Sequence, residues 1–534
     1  MTSSETPLWR RLPAALALAL LAWQASVPWM ATPYITQDGP SHLYNSLVFK
    51  DLLLHPHGFY ASVYRFQPRL VTNWGTTVLL NLVAALAGTA HAEQVFATLL
   101  VVAAFACLTY FRRSLDPSSP ACDPVTNFLL NTWFLWIGFY NFYLGMALAL
   151  LLAGFYLRSI TSFTSRRAAA LSLGLTVLFF VHVLPATLAM LIVALAALWI
   201  HVAIPLKQGH RPSVPVAPLA IALGPPVLLL FFFVRHSLGR TPYVPAIRES
   251  WKIFPMHVFA SAQGWSGEET VLVRVMLLFL LLGIAVLKRA EWQTPRPALA
   301  VASLLSFAGY LLVPNQGFGG DAIKIRLSWS MFIFGCTLAA SAARLLPLRI
   351  PLALCITGFL AANLITTTRN LRNISHAVTA YESALDAVPS GSTFIRLRYG
   401  TQAVRESYGF DQVAMDPLFH ADAWVASRRR LIDLTDVFAL NRLFPVTFRK
   451  EITGEQQNWL YHLEDSEAHG FPTFAHVLDT VPFDYVVLVG DTGSEATRNS
   501  DFLQTSQWLA DNMKPLASDS LHSYVRVYQR THTP

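Results

Sequence analysis

Charged residues are scarce in this chain of 534 residues: 13% are Asp, Glu, Lys or Arg, whereas 54% are hydrophobic. A soluble globular protein carries about 25% charged residues. The scarcity excludes a disordered chain, which combines low hydrophobicity with high net charge, and it argues against a soluble enzyme of this length. Long apolar runs with few charges are instead typical of membrane-spanning segments.

Cysteine is also sparse, and none of the four cysteines has the spacing of a metal site or a disulfide framework. They are Cys107, Cys122, Cys336 and Cys355. The sequence further lacks a basic block interleaved with aromatic residues, which excludes nucleic acid as a partner despite a net charge of +8. The excess base lies between apolar runs, where membrane topology and lipid headgroups account for it.

The apolar runs predict about eleven membrane spans, so the predicted fold is an α-helical polytopic membrane protein. The 168–201 run is counted as two helices, because Pro185 near its middle breaks the helical hydrogen-bond ladder. The 126–157 run is either one kinked span or a hairpin. The predicted spans are residues 12–31, 75–90, 92–111, 126–157, 168–201, 217–234, 270–287, 298–313, 327–343 and 350–367.

The basic residues between the runs orient the chain. With 126–157 as one span, most basic loops fall on the inner side, as the positive-inside rule requires, and residues 368–534 fall outside. Arg112 and Arg113 are the exception, since they land outside. The first run is either a signal peptide or a retained span. We predict a retained span, because no small-residue cleavage site follows it.

Residues 368–534 have a different composition from residues 1–367 and predict a soluble outer domain of the α/β or α+β class. They carry 15 basic and 20 acidic residues, against 24 and 11 in residues 1–367. The stretch 483–490 predicts a buried strand that ends at a Gly turn. Stretches 392–398 and 523–528 predict further strands, and 501–512 predicts a helix.

Candidate chemistry begins in the long first outer loop, residues 32–74. Asp38 lies just past the first span and is followed by Gly-Pro and an amphipathic stretch with a helical period. One interpretation makes Asp38 a helix N-cap or turn residue. The other makes it a catalytic carboxylate or metal ligand at the membrane boundary. His42, one helical turn later, could share its site.

The string Asp38-Gly-Pro-Ser-His42, the stretch Gly138–Gly145 and the order of spans before an outer domain resemble membrane glycosyltransferases of the GT-C fold. These include protein O-mannosyltransferases, lipid A aminoarabinose transferases and their bacterial relatives. Many members have paired acidic residues in the first loop, whereas here Gly39 follows Asp38.

The resemblance implies an inverting transfer of a sugar from a polyprenyl phosphate to a lipid, glycan or protein acceptor at the outer face of a bacterial inner membrane. It implies the base role for Asp38 alone. Such a reaction also needs positive charge or a divalent metal on the leaving phosphate. Asp38 and Asp321 are the carboxylates that could hold a metal.

Several cations are candidates for binding the phosphate. Lys324 and Arg326 follow a glycine-rich loop that contains Asp321, and Arg suits bidentate phosphate contacts. The alternative is that both reach lipid headgroups, and that Asp321 pairs with Lys324. Arg65, Arg69 and His42, all in the first loop, are further candidates for binding the substrate or its phosphate. The topology places eight carboxylates of residues 1–367 outside: Asp38, Asp51, Asp116, Asp123, Glu249, Glu268, Glu269 and Asp321.

Two other functions compete with a glycosyltransferase. A transporter or lipid flippase often has two related halves with discontinuous helices, and this sequence has no such internal symmetry. A non-catalytic envelope assembly component would use the outer domain to bind a partner. The sequence leaves the sugar, the acceptor and the metal requirement open.

Overall fold

The computed structural model divides into two compact units. Unit 1 comprises Met1–Val27 and Ala97–Thr366, and unit 2 comprises Pro28–Phe96 and Thr367–Pro534. The first outer loop therefore groups with the C-terminal part of the chain. The structure describes residues 8–67, 69–117, 122–237, 247–254, 292–315, 322–343, 349–410, 416, 418–441, 443–453, 463, 466, 470–490, 500–518 and 524–531.

The helices that lie wholly or mainly in unit 1 form most of its described part. They are α1 (Leu8–Ser26), α4 (Ala92–Leu115), α5 (Pro124–Leu130), α6 (Trp133–Ile137), α7 (Tyr140–Ser159), α8 (Ser165–Val181), α9 (Val183–Leu198), α10 (Ile204–Lys207), α11 (Val216–Ser237), α12 (Arg296–Leu312) and α13 (Ile323–Ala343). Helix α14 (Arg349–Ala384) begins in unit 1 and ends in unit 2.

Within the described ranges, six helical segments are long and apolar enough to cross a membrane. This is the composition of an integral membrane protein. They are Arg11–Met30, Thr89–Leu115, Tyr140–Ser162, Val183–Lys207, Val216–Arg235 and Ile350–Ala387. The predicted span at 270–287 lies outside the described residues.

Two long apolar runs divide into shorter helices. The 168–201 run breaks at His182, which ends α8 and caps α9, and whose Nδ1 accepts a hydrogen bond from the Leu184 amide at 3.2 Å. The predicted break beside Pro185 is therefore confirmed. The 126–157 run also divides: α5 and α6 are short, and the left-handed Gly138 separates them from α7.

The run at 75–90 forms a shorter helix than the predicted span. It corresponds to α3 (Trp74–Ala87), which has 14 residues and belongs to unit 2. A helix of that length extends about 21 Å, short of a hydrocarbon core of about 30 Å. It packs on α2 (Gly39–Leu54), where the Ser46 hydroxyl donates to the Thr77 carbonyl at 2.9 Å.

The ends of α4 and α7 lie together in unit 1. Arg158 Nε donates to Ser114 Oγ at 3.1 Å, and the Arg158 guanidinium lies 4.4 Å from the centre of the Tyr110 ring. Arg112 and Arg113 are therefore on the same side of the membrane as Arg158. The prediction that Arg112 and Arg113 lie opposite the other basic loops does not fit this packing.

A mixed five-stranded sheet forms the core of unit 2. Its strand order is β3-β2-β5-β7-β6, with β2 parallel to both neighbours and β7 antiparallel to both of its own. The strands are β2 (Thr393–Arg398), β3 (Ile432–Asp433), β5 (Tyr485–Val489), β6 (Met513–Ser518) and β7 (Val525–Arg530). The predicted strands at 392–398 and 483–490 and the helix at 501–512 are confirmed; the last is Ser500–Asn512.

Further contacts in unit 2 join its two chain segments, Pro28–Phe96 and Thr367–Pro534. Strand β1 (Tyr64–Phe66) of the first loop pairs antiparallel with β4 (Val446–Phe448). The Tyr44 hydroxyl of α2 donates to the Leu431 carbonyl at 3.0 Å. Five further helices lie in the C-terminal segment: α15 (Thr401–Tyr408), α16 (Ala421–Arg429), α17 (Val437–Leu440), α18 (Lys450–Thr453) and α19 (Phe471–Thr480).

Candidate active site

Asp38 occupies the N-cap position of α2, and its carboxylate makes no capping hydrogen bond to that helix. A capping Asp normally accepts from the amide of the second or third helical residue. Here the Gln37 side-chain amide donates to Asp38 Oδ1 at 3.3 Å. The side chain is 13% exposed. The interpretation of Asp38 as an ordinary N-cap therefore does not account for where its carboxylate lies.

One buried histidine lies near this carboxylate, and a second lies on the same helix. His420 Nε2 is 3.9 Å from Asp38 Oδ1. His42 lies one turn into α2, with its ring edge-on to Phe438 at a centroid distance of 4.6 Å. Burial lowers the pKa of His420 well below its usual value, and Arg396, Arg398 and His42 lower it further. These shifts favour the neutral form of the His420 imidazole.

Strand β2 supplies two buried arginines to the same region. Arg396 and Arg398 are two residues apart, so they lie on one face of the sheet. Arg396 Nη1 is 2.6 Å from Asp422 Oδ1, and Arg398 is paired with Asp416. The Asp416 amide donates to Gln37 Oε1 at 2.9 Å. Gln37 thus links Asp38 to the segment that Arg398 holds.

A second acidic group lies deeper in unit 2. Asn45 of α2 donates to Asp436 Oδ1 and Oδ2 at 3.0 and 2.9 Å. Burial raises the pKa of Asp436 to about 7, although the Asn45 bonds lower it. Burial also raises the pKa of Asp433 well above its usual value, and the charges of Asp422 and Asp436 raise it further. The Asp436 carboxyl thus connects α2 to the C-terminal segment.

The residues predicted to bind phosphate are divided between the two units. In unit 1, Lys324 Nζ donates to Ser250 Oγ at 2.5 Å and to the Tyr310 carbonyl at 2.9 Å. The Arg326 guanidinium lies 4.7 Å from the Phe139 ring centre and 5.4 Å from that of Phe142. Arg326 thus contacts the aromatic stretch Gly138–Gly145 that the sequence singled out.

In unit 2, Arg65 lies on β1 opposite Thr447, and Arg69 is exposed in the loop after it. Asp321 lies outside the described residues. Among the residues that the structure describes, no cluster of three or more His, Cys, Asp or Glu side chains could hold a metal ion. The described residues near Asp38 therefore do not form a metal-binding set.

Sequence reasoning missed several residues around Asp38. Glu93, at the start of α4, accepts a hydrogen bond from the Thr36 hydroxyl at 2.8 Å, yet the predicted topology had placed it on the inner side. His420, Arg396 and Arg398 are more than 350 positions away in the chain. Arg396 and Arg398 alternate within a predicted strand, and this was the one local signal for any of the three residues.

Comparison with known proteins gives structural similarity without sequence similarity. No family model and no curated protein sequence matches the chain. ArnT from Cupriavidus metallidurans in the apo state is similar at a TM-score of 0.49 and 12% identity, with 97% of each chain covered. The same protein bound to undecaprenyl phosphate gives 0.46 and 13%, again with 97% of each chain covered.

An archaeal enzyme is similar as well. The Archaeoglobus fulgidus oligosaccharyltransferase in the apo form gives a TM-score of 0.44 at 13% identity, covering 90% of this chain and 69% of that one. Both proteins are glycosyltransferases of the GT-C fold, and ArnT is a lipid A aminoarabinose transferase, one of the groups that the sequence resembles.

Proposed function

We propose that this protein is a membrane glycosyltransferase that moves a sugar from a polyprenyl-phosphate donor to an acceptor, with inversion and with Asp38 as the base. The observation that carries the proposal is the Asp38 carboxylate. It stands at a helix N-terminus without capping it, in a largely buried setting, 3.9 Å from His420 Nε2.

That setting suits a general base. A carboxylate that caps a helix is stabilised in its charged form, which weakens it as a proton acceptor, and Asp38 makes no capping bond to α2. The Gln37 side-chain amide and His420 Nε2 lie near its oxygens. In the proposed step, Asp38 takes the proton from the acceptor hydroxyl or amine as that atom attacks the sugar carbon. The bond from the sugar to the phosphate oxygen breaks, and polyprenyl phosphate leaves.

The leaving phosphate needs cations. Lys324 and Arg326 are proposed for this role, with Arg65 and Arg69 as further candidates. Arg326 suits the task best, because its guanidinium lies against the rings of Phe139 and Phe142 and a guanidinium can make bidentate contacts with a phosphate.

We further propose that the chain lies in a bacterial inner membrane, with about eleven spans within residues 1–367. The first loop and residues 368–534 would then be on the outer side. The acceptor would be a lipid, a glycan or a protein that reaches this side, and residues 368–534 would help to cover it.

The test supplies purified protein in lipid vesicles with a series of polyprenyl-phosphate sugars and with envelope extract as the source of acceptor. Protein-dependent release of free polyprenyl phosphate, matched by sugar on an acceptor, is the expected result. Movement of the intact donor lipid across the bilayer without its cleavage would contradict the proposal and favour a flippase.

A further inference from the structure

We infer that Glu93 and Thr36 are positioning residues that fix the turn carrying Asp38. The consequence for activity rests on the proposed function, whereas the geometry of the turn does not.

A chain of three groups closes this turn. Glu93 is the second residue of α4 and is 1% exposed. Its Oε1 accepts from the Thr36 hydroxyl at 2.8 Å and from the Thr36 amide at 3.4 Å. The same hydroxyl accepts from the Gly39 amide at 2.9 Å. One hydroxyl can donate once and accept as well, so both bonds form together.

This chain provides a hydrogen-bond acceptor for the first amide of α2. The first amides of a helix have no partner within the helix and are commonly bonded by the side chain of the N-cap residue. Here Thr36 serves the amide of Gly39, the first residue of α2, and the Asp38 carboxylate bonds none of them. The carboxylate lies near the Gln37 side-chain amide and His420 Nε2.

Gly39 is the residue that lets Glu93 approach. A Cβ atom at position 39 would lie 1.8 Å from Glu93 Oε1 and 2.4 Å from Thr36 Oγ1, closer than any real contact. Both atoms belong to the bonds that define the turn, so they cannot move aside without breaking it. The absence of a side chain at position 39 and the buried carboxylate of Glu93 are thus parts of one arrangement.

Four variants test the role in catalysis. Glu93→Ala removes the acceptor and should lower kcat by about 10- to 100-fold with little change in KM, because a small displacement of a catalytic group has effects of that size. Glu93→Gln keeps an oxygen that accepts from Thr36 and should restore kcat to within about threefold of the wild type. Thr36→Ser should be active and Thr36→Val impaired for the same reason.

Gln94→Ala is the matched control. Gln94 is the next residue of α4, equally buried, but its amide bonds the carbonyls of Pro28 and Ala31 at 3.3 and 3.4 Å instead of the Asp38 turn. We expect this variant to lose stability and keep its kcat. Glu93→Gln as impaired as Glu93→Ala, or Glu93→Ala with wild-type kcat, would overturn the inference.

Hydrogen exchange gives a readout that needs no activity. Loss of one hydrogen bond should speed exchange of the Gly39 amide by about 5- to 10-fold in Glu93→Ala and Thr36→Val, and leave residues 44–52 of α2 unchanged. Unchanged exchange at Gly39 would overturn the inference whatever the activity. Full transfer activity in Asp38→Asn would instead end the proposed function, while the exchange result would still decide the role of Glu93.

Discussion

At the scale of single residues, the structure gives a reason for the glycine at position 39. Many members of the resembled family carry an acidic residue after the first one, and here a glycine stands there. The space that a side chain would need at position 39 is filled by the carboxylate of Glu93. Local sequence could place Asp38 at the start of a helix, but the approach of Glu93 across 54 positions depends on tertiary packing.

Asp436 offers a prediction about pH. Its pKa is raised to about 7 in the folded protein from an ordinary value near 3.8. The folded state therefore binds more protons than the unfolded state between about pH 4 and 7, and stability falls as pH rises through this window, by at most about 1.4 kcal/mol per pH unit for one group. Asp436→Asn should flatten that decline in the midpoint of thermal unfolding measured from pH 4 to 8.

The control for this prediction is Asp386→Asn. Asp386 forms a surface pair with Arg429, and its side chain is 69% exposed. A surface pair contributes little to stability. The wild-type slope should persist in this variant. A slope in Asp436→Asn that equals the wild-type slope would show that Asp436 does not titrate in this range.

At the scale of elements, two predicted features change together. The run at 75–90 forms a helix of 14 residues, and the run at 126–157 divides into α5, α6 and α7. Without a span at 75–90, the chain crosses the membrane one time fewer before α4. If α5 and α6 together cross the membrane, the chain crosses it one time more after α4. The predicted sides of all later loops then stay the same. Hydropathy does not distinguish a short apolar helix from a membrane span. The sequence alone therefore could not assign these two runs.

This arrangement predicts the sides of two loops. Ala90 should be outside and Pro117 inside, because α4 runs between them and its Arg112-Arg113 end lies beside Arg158. Cysteines introduced at positions 90 and 117, in a variant lacking the four native cysteines, can be labelled with a membrane-impermeant reagent. We expect label at position 90 in intact cells and at position 117 only after permeabilisation. The reverse pattern would restore the topology with a span at 75–90.

At the scale of the whole molecule, the first loop and the C-terminal segment form one unit. Strands β1 and β4 pair across nearly 400 positions of sequence, and Asn45 bonds Asp436. The change in charge and hydropathy near residue 367 predicted where the C-terminal segment begins. Nothing local marks the loop as its partner, because a three-residue strand gives no pattern of its own.

The topology proposed above places the two chain segments of unit 2 on the outer side of the membrane. Cysteines at the exposed positions His57 and Thr531 should therefore both be labelled from outside in intact cells. Labelling of position 57 with protection of position 531 would contradict both the grouping and the outer location proposed for residues 368–534. Pro117→Cys provides the matched control, since it should be protected in the same cells.

The central claim is that the Asp38 carboxylate performs the chemistry, and the most direct measurement is the transfer rate of Asp38→Asn. General-base catalysis commonly contributes about 10²- to 10⁴-fold, so transfer should fall by at least about 100-fold in protein that is inserted and folded. Asp51→Asn is the control, because Asp51 lies on the same helix and its carboxylate faces His55 at 3.2 Å. The account predicts that Asp51→Asn keeps near wild-type transfer; a fully active Asp38→Asn would contradict it.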